Sequence, residues 1–551
     1  MRSDAGPTSA LGLVALALAI LAPADGVEGA GDEPDAGETA ERRADGVEGH
    51  GRPDRREQAA GDEQGGEGDG EAGGRHGTDD DAYEIRTPCP GSVRGVTDAA
   101  LEQALERMRA DGAGEPVLAA FRQRFAQLRD PVAGLLPGDE LEPVRDVPAL
   151  AELDDDAAAA AAGILDRVAV IKLNGGLGTS MGLQGPKSLV EVKPGQTFLD
   201  VIAAQVRALR ERHGARVPLV LLDSFSTRDA TLAALAGRHG DLTADIAPDF
   251  LQSREPKLRA DTLAPVDWPA DPGLEWCPPG HGDLYVSLAA SGMLAQLRAA
   301  GYDWAFVSNS DNLGAEVEPH IPAWADAHGV PFVMEVVRGT AADRKGGHIA
   351  RRDGRLVLRE TAQTPRGDAS FTDVDRWRYY NTNNLWVDLR ALERLMDAEP
   401  GGPALPLIVN RKTVDPTDAA SPDVLQLETA MGAAIGAIDG AQAVLVPRTR
   451  FAPVKTTDDL LVVRSDAYTL NDDGHLSPTF DDAPPVVALD PQHYRQLPAM
   501  EQRFRHGPPS LRAARSLTVH GDVTFGAGVT IRGDVVLDGP ARVPDGEVLA
   551  G

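Results

Sequence analysis

The sequence predicts a mixed α/β fold that is followed, at the carboxyl end of the chain, by a left-handed parallel β-helix. Short apolar runs alternate with helix-like stretches over about 300 residues, which is typical of a sheet whose strands are connected by helices. Between residues 517 and 537 apolar side chains recur every six positions, and this is a period typical of a left-handed parallel β-helix. The two patterns indicate two architectures in one chain.

Size, charge and cysteine content narrow the function classes. The chain has 551 residues, of which 42% are hydrophobic, so it is long enough for two or three domains. Its formal net charge of -31 argues against a nucleic-acid partner, because neutralising a phosphate backbone needs a basic face. Cys89 and Cys277 are too few for a disulfide framework and form no paired metal motif, which favours a reducing compartment.

Residues 1–84 are predicted to be a disordered acidic leader. The first eighty residues carry 19 Asp and Glu against 7 Arg, and after residue 23 they contain almost no aromatic or branched side chain from which to build a core. Residues 11–21 form an apolar run of signal-peptide length, so a secretory signal is the alternative to a disordered leader or a mis-assigned start codon. Because the run is too short to cross a bilayer as a helix, we expect no membrane partner.

Residues 85–165 are predicted to form a short helical segment. Leu101, Leu105 and Met108, followed by Phe121 and Phe125, lie at helical spacing. A glycine-containing break at residues 112–114 separates the two sets. We therefore expect a helical module that is interrupted at these glycines.

The central part of the chain carries the strands and helices of the sheet. Stretches 198–213 and 285–300 are predicted to be helices, and apolar strand patterns fall at residues 167–173, 217–222, 304–307, 331–337 and 383–387. Because helices separate several of these strands, the pattern favours a mostly parallel sheet.

The six-residue period of the last segment, residues 467–551, involves three columns of side chains. Two columns are apolar and the third is small, which suits flat faces that meet at tight corners. The columns are Leu517, Val523, Val529 and Val535; Val519, Phe525, Ile531 and Leu537; and Gly521, Ala527, Gly533 and Gly539. A pair of amphipathic hairpins is the alternative interpretation.

A glycine-rich loop follows the first predicted strand of the sheet. It reads Lys172-Leu-Asn-Gly-Gly-Leu-Gly-Thr-Ser-Met-Gly182, and Gly185-Pro-Lys-Ser188 comes shortly after it. Glycines in this position let main-chain N–H groups point at a phosphate or a base edge, and Lys187 adds a positive charge. The spacing matches neither the dinucleotide-binding nor the Walker loop. A structural glycine turn is the alternative, but it leaves Lys187 unexplained.

Asp311 follows the strand that begins at Trp304. A carboxylate at this end of a strand lies at the rim of an open α/β sheet, where ligands bind. It can hold a hard divalent cation that also contacts phosphate oxygens. An aspartate in an ordinary turn is the alternative.

These motifs resemble those of the eukaryotic-type UDP-glucose pyrophosphorylases. The resemblance covers residues 166–470 and the six-residue repeat. Besides the glycine loop, the matching segments are Asp223-Ser-Phe-Ser-Thr227, Gln252-Ser-Arg254, Pro278-Pro-Gly-His-Gly-Asp283, Val307-Ser-Asn-Ser-Asp-Asn-Leu-Gly314, Lys345-Gly-Gly347, Asn381-Thr-Asn-Asn-Leu-Trp386, Gln426-Leu-Glu-Thr-Ala430 and Pro453-Val-Lys-Thr-Thr457. It implies a Rossmann-like (GT-A-like) nucleotidyltransferase domain with a mixed sheet at residues 166–466, before the β-helix.

The resemblance also implies an activity and a set of site residues. The activity is formation of UDP-glucose and pyrophosphate from UTP and glucose 1-phosphate, with Mg²⁺ as cofactor. Lys187 and Lys455 are implied to be catalytic, and Asp311 to bind the metal. Leu173, Asn174, Gly175, Gly176, Gln252, Gly280 and His281 are implied to bind the nucleotide. Asn309, Gly347, Glu360, Asn381 and Asn383 are implied to bind the sugar.

Two alternatives remain at this point. Uridylyltransferases for N-acetylglucosamine 1-phosphate or for several sugars usually carry Ala-Gly-Gly and an Arg in the loop, whereas this chain has Asn174-Gly-Gly176 and Ser180. A non-catalytic sugar-nucleotide-binding or scaffold protein would not need Lys187, Asp311 and Lys455, which are all present. We expect a cytoplasmic location, where UTP is found, and leave a homo-oligomer open.

Overall fold

The computed structural model of the chain describes residues 93–128, 134–153, 161, 163–183, 185–242, 246–340, 343–480 and 483–551. All of them belong to one compact unit, Asp81–Gly551. The predicted leader at 1–84, its apolar run at 11–21 and Cys89 lie outside the described residues. Within these ranges, no helix combines the length and the hydropathy needed to cross a membrane.

The predicted helical module is confirmed as a pair of helices, Val93–Ala110 and Glu115–Gln127. Gly112, with φ of 92°, ends the first helix in a left-handed conformation that disfavours other residues. Pro116 lies in the first turn of the second helix, where a missing N–H costs nothing. The buried rings of Phe121 and Phe125 lie 5.9 Å apart and belong to a core that this pair shares with the rest of the unit.

A mixed sheet forms the centre of the molecule. In the described part of the chain it has ten strands. They are β1 (Glu142–Pro143), β2 (Val168–Asn174), β3 (Leu219–Asp223), β4 (Asp249–Leu251), β5 (Trp304–Asn309), β6 (Phe332–Arg338), β7 (His348–Arg352), β8 (Arg355–Arg359), β9 (Tyr379–Asp388) and β10 (Gln442–Leu445). Val168 and Val170 belong to one buried cluster, and Ala169 and Ile171 to another, so alternate side chains of β2 enter cores on opposite faces of the sheet.

Helices cover this sheet or follow it. They are Phe198–His213, Arg228–Arg238, Leu284–Ala290, Met293–Ala299, His320–His328, Leu389–Ala398, Ala434–Ala437, Thr457–Arg464, Pro491–Tyr494 and Leu497–Arg503. The predicted helix at 198–213 is confirmed, with Thr197 accepting the Asp200 amide as its N-cap. The predicted helix at 285–300 is split in two, because Gly292 adopts a left-handed φ of 79°.

The mixed sheet that the resemblance implies is confirmed, whereas the mostly parallel sheet expected from the strand pattern is wrong for half of the sheet. Strands β5, β2, β3 and β4 pair in parallel, but β9 pairs antiparallel with β5, β6 and β7. Between β7 and β8 the chain turns through Asp353 and Gly354, both with positive φ, so the two strands form a hairpin. A parallel pair would need a long crossover, which this part of the sequence lacks.

The parallel half brings four strand ends to one edge of the sheet. Asn174 at the end of β2 pairs with Asp223 at the end of β3, and Asp223 pairs with Leu251 at the end of β4. On the other side, Leu173 pairs with Asn309 at the end of β5. The loops that follow these strands therefore share one edge, which is where ligands bind in open α/β sheets.

Smaller sheets complete the unit. Their strands are Glu191–Lys193, Gln196–Thr197, Glu255–Pro256, Leu258–Arg259, Trp276–Cys277, Ile408–Thr413, Asp423–Glu428, Tyr468–Leu470 and Leu476–Pro478. Cys277 is buried and carries a free thiol.

The carboxyl-terminal repeat forms parallel strands. They are β11 (Val486–Leu489), β12 (Ser510–His520), β13 (Val523–Phe525), β14 (Thr530–Asp538), β15 (Ala541–Val543) and β16 (Val548–Ala550). Leu517 pairs with Val535, and Val523 with Ala541, so each partner lies three six-residue periods further along the chain. Hairpins would pair antiparallel, so the hairpin alternative is wrong for these strands.

Candidate active site

The glycine loop leaves β2 at the sheet edge and exposes its main chain. The carbonyl of Gly175 accepts a hydrogen bond from Ser224 Oγ at 2.9 Å, and that of Gly176 accepts one from the Lys187 amide at 3.2 Å. A Cβ on Gly175 would lie 3.1 Å from Gln252 Oε1, so Gln252 packs directly on this glycine. At Gly176 no described atom lies within 4 Å of the Cβ position. The loop is therefore held by its neighbours and is open at Gly176, as a backbone contact with a ligand requires.

The two residues before the glycines direct their polar groups into the protein. The Leu173 carbonyl accepts the Ser310 amide at 3.2 Å. The Asn174 side chain is 2% exposed, and its Nδ2 donates to Asp223 Oδ1 at 2.7 Å and to Thr231 Oγ1 at 3.0 Å. Asn174 can therefore meet a nucleotide through its main chain only, and its binding role stays a prediction.

The segment around Gly280 requires glycine. Its φ is 76°, and a Cβ would lie 2.6 Å from the carbonyl oxygen of Thr429. The next residue, His281, accepts the Met431 amide at Nδ1 over 2.9 Å, so its hydrogen must be on Nε2. Desolvation of the ring lowers the pKa of His281 to about 4, although the residue as a whole is exposed. His281 is thus a neutral donor that is held in a fixed orientation.

Lys187 and Asp311 meet although they are 124 residues apart in sequence. Lys187 Nζ lies 2.7 Å from Asp311 Oδ2 and also donates to the carbonyl of Val454. The main-chain amide of Val454 in turn donates to the carbonyl of Asp311 at 3.1 Å. Lys455 follows directly, so the structure brings both predicted catalytic lysines and the predicted metal ligand to one place.

Asp311 retains an oxygen that fits a metal ion. Its Oδ1 is buried and has no hydrogen-bond partner within the described part of the chain. No cluster of three or more His, Cys, Asp or Glu side chains suited to a metal occurs among the described residues. Mg²⁺ suits such a site, because it is commonly bound through one or two carboxylates together with waters and substrate phosphates.

Three of the predicted sugar-binding residues lie next to paired residues of β7, β8 and β9. His348 in β7 pairs with Arg359 in β8 and with Tyr380 in β9. The residues next to these three, Gly347, Glu360 and Asn381, therefore lie side by side. The Asn381 amide donates to the Gly347 carbonyl at 2.9 Å, and a Cβ on Gly347 would lie 2.5 Å from Glu360 Oε1.

The asparagines of this group lie within β9, where its pairing with β6 shifts register. Asn383 has a left-handed φ of 58°. Its amide donates to Asn381 Oδ1 at 2.9 Å, and its Oδ1 accepts from Asn381 Nδ2 at 2.7 Å. Burial raises the pKa of Glu360 to about 7, and the Lys455 ammonium opposes this shift. Asn309 is half-buried at the end of β5, on the same edge as the glycine loop.

We call Gly175, Gly176, Gln252, Gly280 and His281 the nucleotide half of the site. Gly347, Glu360, Asn381 and Asn383 form the sugar half. Two links join them. Met431, which donates to His281, precedes Gly432, whose Cβ position lies 3.0 Å from Asn381 Nδ2. The electrostatic effect of Lys455 on Glu360 connects the lysine cluster to the sugar half.

Several residues that shape the site were not among the predicted ones. Asp223, Ser224 and Thr429 hold Asn174, Gly175 and Gly280 in place. The segments 223–227 and 426–430 carried the resemblance, so a signal existed, but their polar residues act on other residues of the protein. Sequence alone does not distinguish such a role from ligand contact.

Comparisons with known proteins agree on one family. A family model described as UTP–glucose-1-phosphate uridylyltransferase matches residues 130–532. The enzyme of that name from Solanum tuberosum is 42% identical over 425 residues, which covers 76% of this chain and 85% of the relative. The one from Saccharomyces cerevisiae is 41% identical over 392 residues, covering 70% and 77%. A crystal structure of a variant UDP-glucose pyrophosphorylase from Leishmania major in complex with UDP-glucose superposes with a TM-score of 0.77 at 42% identity, covering 82% of this chain and 98% of that one.

Proposed function

The chain belongs to the UTP–glucose-1-phosphate uridylyltransferase family, and we propose that it forms UDP-glucose and pyrophosphate from UTP and glucose 1-phosphate. The observation that carries this proposal is the contact of Lys187 with both Asp311 and Val454, between the nucleotide half and the sugar half. A cationic cluster at that point suits a reaction that joins two phosphorylated substrates.

The proposed step is a direct displacement at phosphorus. A phosphate oxygen of glucose 1-phosphate attacks the α-phosphorus of UTP in line, a new P–O bond forms, and the bond to the β-phosphate breaks so that pyrophosphate leaves. Lys187 and Lys455 offset the negative charge that accumulates in the transition state. The neutral Nε2–H of His281 suits hydrogen bonding to a phosphate oxygen without adding charge.

The sugar half is proposed to select glucose. Glu360, Asn381 and Asn383 offer oxygen and amide groups in a fixed arrangement, with Asn309 and the main chain of Gly347 beside them. Polar groups that are matched to particular hydroxyls reject an epimer, because a lost partner leaves them unsatisfied.

Asp311 is proposed to hold Mg²⁺ through its unpartnered oxygen. When bound, the ion supplies further neutralisation of phosphate charge. The residues of this chain orient the reactants around that point: the glycine loop on the nucleotide side, and Lys455 next to Glu360 on the sugar side.

Three further features are inferred. The 18-residue spacing of paired strands in the carboxyl-terminal segment is three six-residue periods, which supports a left-handed β-helix with three faces in each turn. A cytoplasmic location is inferred from the need for UTP. A homo-oligomer stays a prediction from the sequence.

The test is pyrophosphate release from UTP and Mg²⁺ with a panel of sugar 1-phosphates. We expect turnover with glucose 1-phosphate to exceed that with the galactose and N-acetylglucosamine analogues by about tenfold or more. Equal rates with all three would contradict selection of glucose. No release with any sugar would favour a non-catalytic binding protein.

A further inference from the structure

A buried acid and a buried amide meet beneath the nucleotide half. Asp223 is 0% exposed and Asn174 is 2% exposed. They are paired residues at the ends of β3 and β2, and Asn174 Nδ2 donates to Asp223 Oδ1 at 2.7 Å. Both residues adjoin groups that face the nucleotide: Asn174 precedes Gly175, and the Asp223 carbonyl accepts the Gln252 amide at 2.9 Å. The pair therefore sets the relative position of the glycine loop and Gln252.

Each side chain of the pair has one oxygen without a hydrogen-bond partner among the described residues. Among the described residues, Asn174 Oδ1 and Asp223 Oδ2 are both buried without a hydrogen-bond partner. Both atoms are acceptors. The other polar atoms of the two side chains, Asn174 Nδ2 and Asp223 Oδ1, are already joined by a hydrogen bond. A buried polar atom without a partner costs free energy, and a buried carboxylate oxygen costs more. A hydrogen on Asp223 Oδ2 would let it donate to Asn174 Oδ1, so one proton would satisfy both atoms.

We propose that Asp223 is a positioning residue that works as a neutral carboxylic acid, forming a two-armed hydrogen-bonded pair with Asn174 that shapes the glycine loop for UTP. The inference rests on the proposed function, since it names UTP as the ligand of the loop. Asp223 does not touch the reacting atoms. Its effect reaches the nucleotide through Asn174 and Gln252.

The surroundings of Asp223 favour its neutral form. Burial is the main cause that raises the pKa of Asp223 to about 6, and Asp249 on β4 adds to the shift. Arg228 acts in the opposite direction, but its guanidinium is bound to Asp249 at 2.6 Å. The hydrogen bond that Asp223 Oδ1 accepts from Asn174 Nδ2 opposes the shift more strongly than Thr227 Oγ1, which donates to the same oxygen at 3.2 Å.

The charge of Asp223 determines the direction in which pH changes UTP binding. Below pH about 6 the acid is neutral and the pair is complete. Above that pH, ionisation places a carboxylate oxygen against the Asn174 carbonyl oxygen and breaks one arm of the pair. UTP binding should therefore weaken as the pH rises through about 6, while binding of glucose 1-phosphate should not follow this trend.

The test compares the wild type with Asp223→Asn by calorimetric titration of UTP. Asparagine keeps the shape of the side chain and can form the two-armed pair at every pH. For the wild type we expect the dissociation constant for UTP to rise by about fivefold or more between pH 6 and pH 8. For D223N we expect tight binding with no such rise, after the titration of UTP itself, common to both proteins, is divided out.

Two results would overturn the proposal. One is an equal pH dependence of UTP binding in both proteins, and the other is weak binding by D223N at pH 6. A kinetic control separates positioning from a general loss of activity. At pH 8, D223N should have a lower KM for UTP than the wild type and a kcat close to that of the wild type.

Infrared spectroscopy tests, without any ligand, whether the Asp223 carboxyl is protonated. The carbonyl band of a protonated carboxyl should be weaker in D223N than in the wild type below pH 6, because other buried acids contribute equally to both. Identical bands would show that Asp223 is ionised and would reject the proposal. If neither protein bound UTP but the band still differed, the proposed function would be wrong, whereas the protonation of Asp223 would be confirmed.

Discussion

The nucleotide half and the sugar half of the site differ in the groups that they present: mainly main chain in the first, and side chains in the second. The nucleotide half presents main chain from Gly175, Gly176 and Gly280, with a neutral His281. The sugar half presents side chains from antiparallel strands and the residues beside them, with Glu360 as its ionisable group. The first half therefore depends on backbone shape and the second on side-chain chemistry, so different substitutions should weaken substrate binding in each.

The largest expected effect falls where the two halves meet. Lys187→Ala and Lys455→Ala should each lower kcat by a factor on the order of 10² or more, since each removes positive charge at the transferring phosphate. Steady-state kinetics at saturating substrates measures this. Lys412→Ala is the matched control, because Lys412 is exposed and contacts Gln426 outside the site. A near-normal kcat in either active-site variant would remove that lysine from the mechanism.

Backbone shape in the nucleotide half can be tested at Gly280. Gly280→Ala should raise the dissociation constant for UTP by about tenfold, because it combines a left-handed φ with a clash against the Thr429 carbonyl. Gly292→Ala is the control, since Gly292 has a similar φ of 79° but no described atom within 4 Å of its Cβ position. That control should lose about 1 kcal/mol of unfolding free energy and bind UTP normally. If both variants weakened UTP binding equally, the clash at Thr429 would be irrelevant.

Side-chain chemistry in the sugar half can be tested at Glu360. With its pKa raised to about 7 by burial, the carboxyl is neutral below that pH and ionised above it. Because a carboxylate is the stronger acceptor for hydroxyls, KM for glucose 1-phosphate should fall by about threefold between pH 6 and pH 8. Glu360→Gln should abolish this change relative to the wild type. A parallel pH profile in the two proteins would assign the effect to another group.

The two halves should thus respond to pH in opposite directions. Ionisation of Asp223 weakens binding of UTP, whereas ionisation of Glu360 strengthens binding of glucose 1-phosphate. Measuring KM for UTP and KM for glucose 1-phosphate in one pH series therefore tests whether the two halves respond in opposite directions.

The smallest expected effect lies outside both halves. Deleting residues 1–80 should leave kcat and the melting temperature unchanged within error, because an acidic segment of low complexity contributes no apolar core. The truncated and full-length proteins can be compared by kinetics and by differential scanning calorimetry. Loss of activity or a lower melting temperature on truncation would make the leader part of the working structure.

Local patterns predicted much of the fold. The helix Phe198–His213 has its predicted bounds, because its cap and its apolar face are encoded within its own residues. Antiparallel pairing around β9 was not predicted, because a strand pattern does not specify which neighbour a strand joins. The helix break at Gly292 was missed as well, since helices tolerate an isolated glycine at moderate cost.

What the sequence alone determined was therefore the local chemistry: the glycine loop after a strand, the six-residue period and the motifs that carry the family resemblance. Tertiary structure alone decided how distant residues meet. It turned the Asn174 side chain inward onto Asp223 and placed Lys187 on Asp311 across 124 residues. The physical reason is that a local pattern reflects neighbours along the chain, whereas burial and hydrogen-bond partners depend on which strands lie side by side.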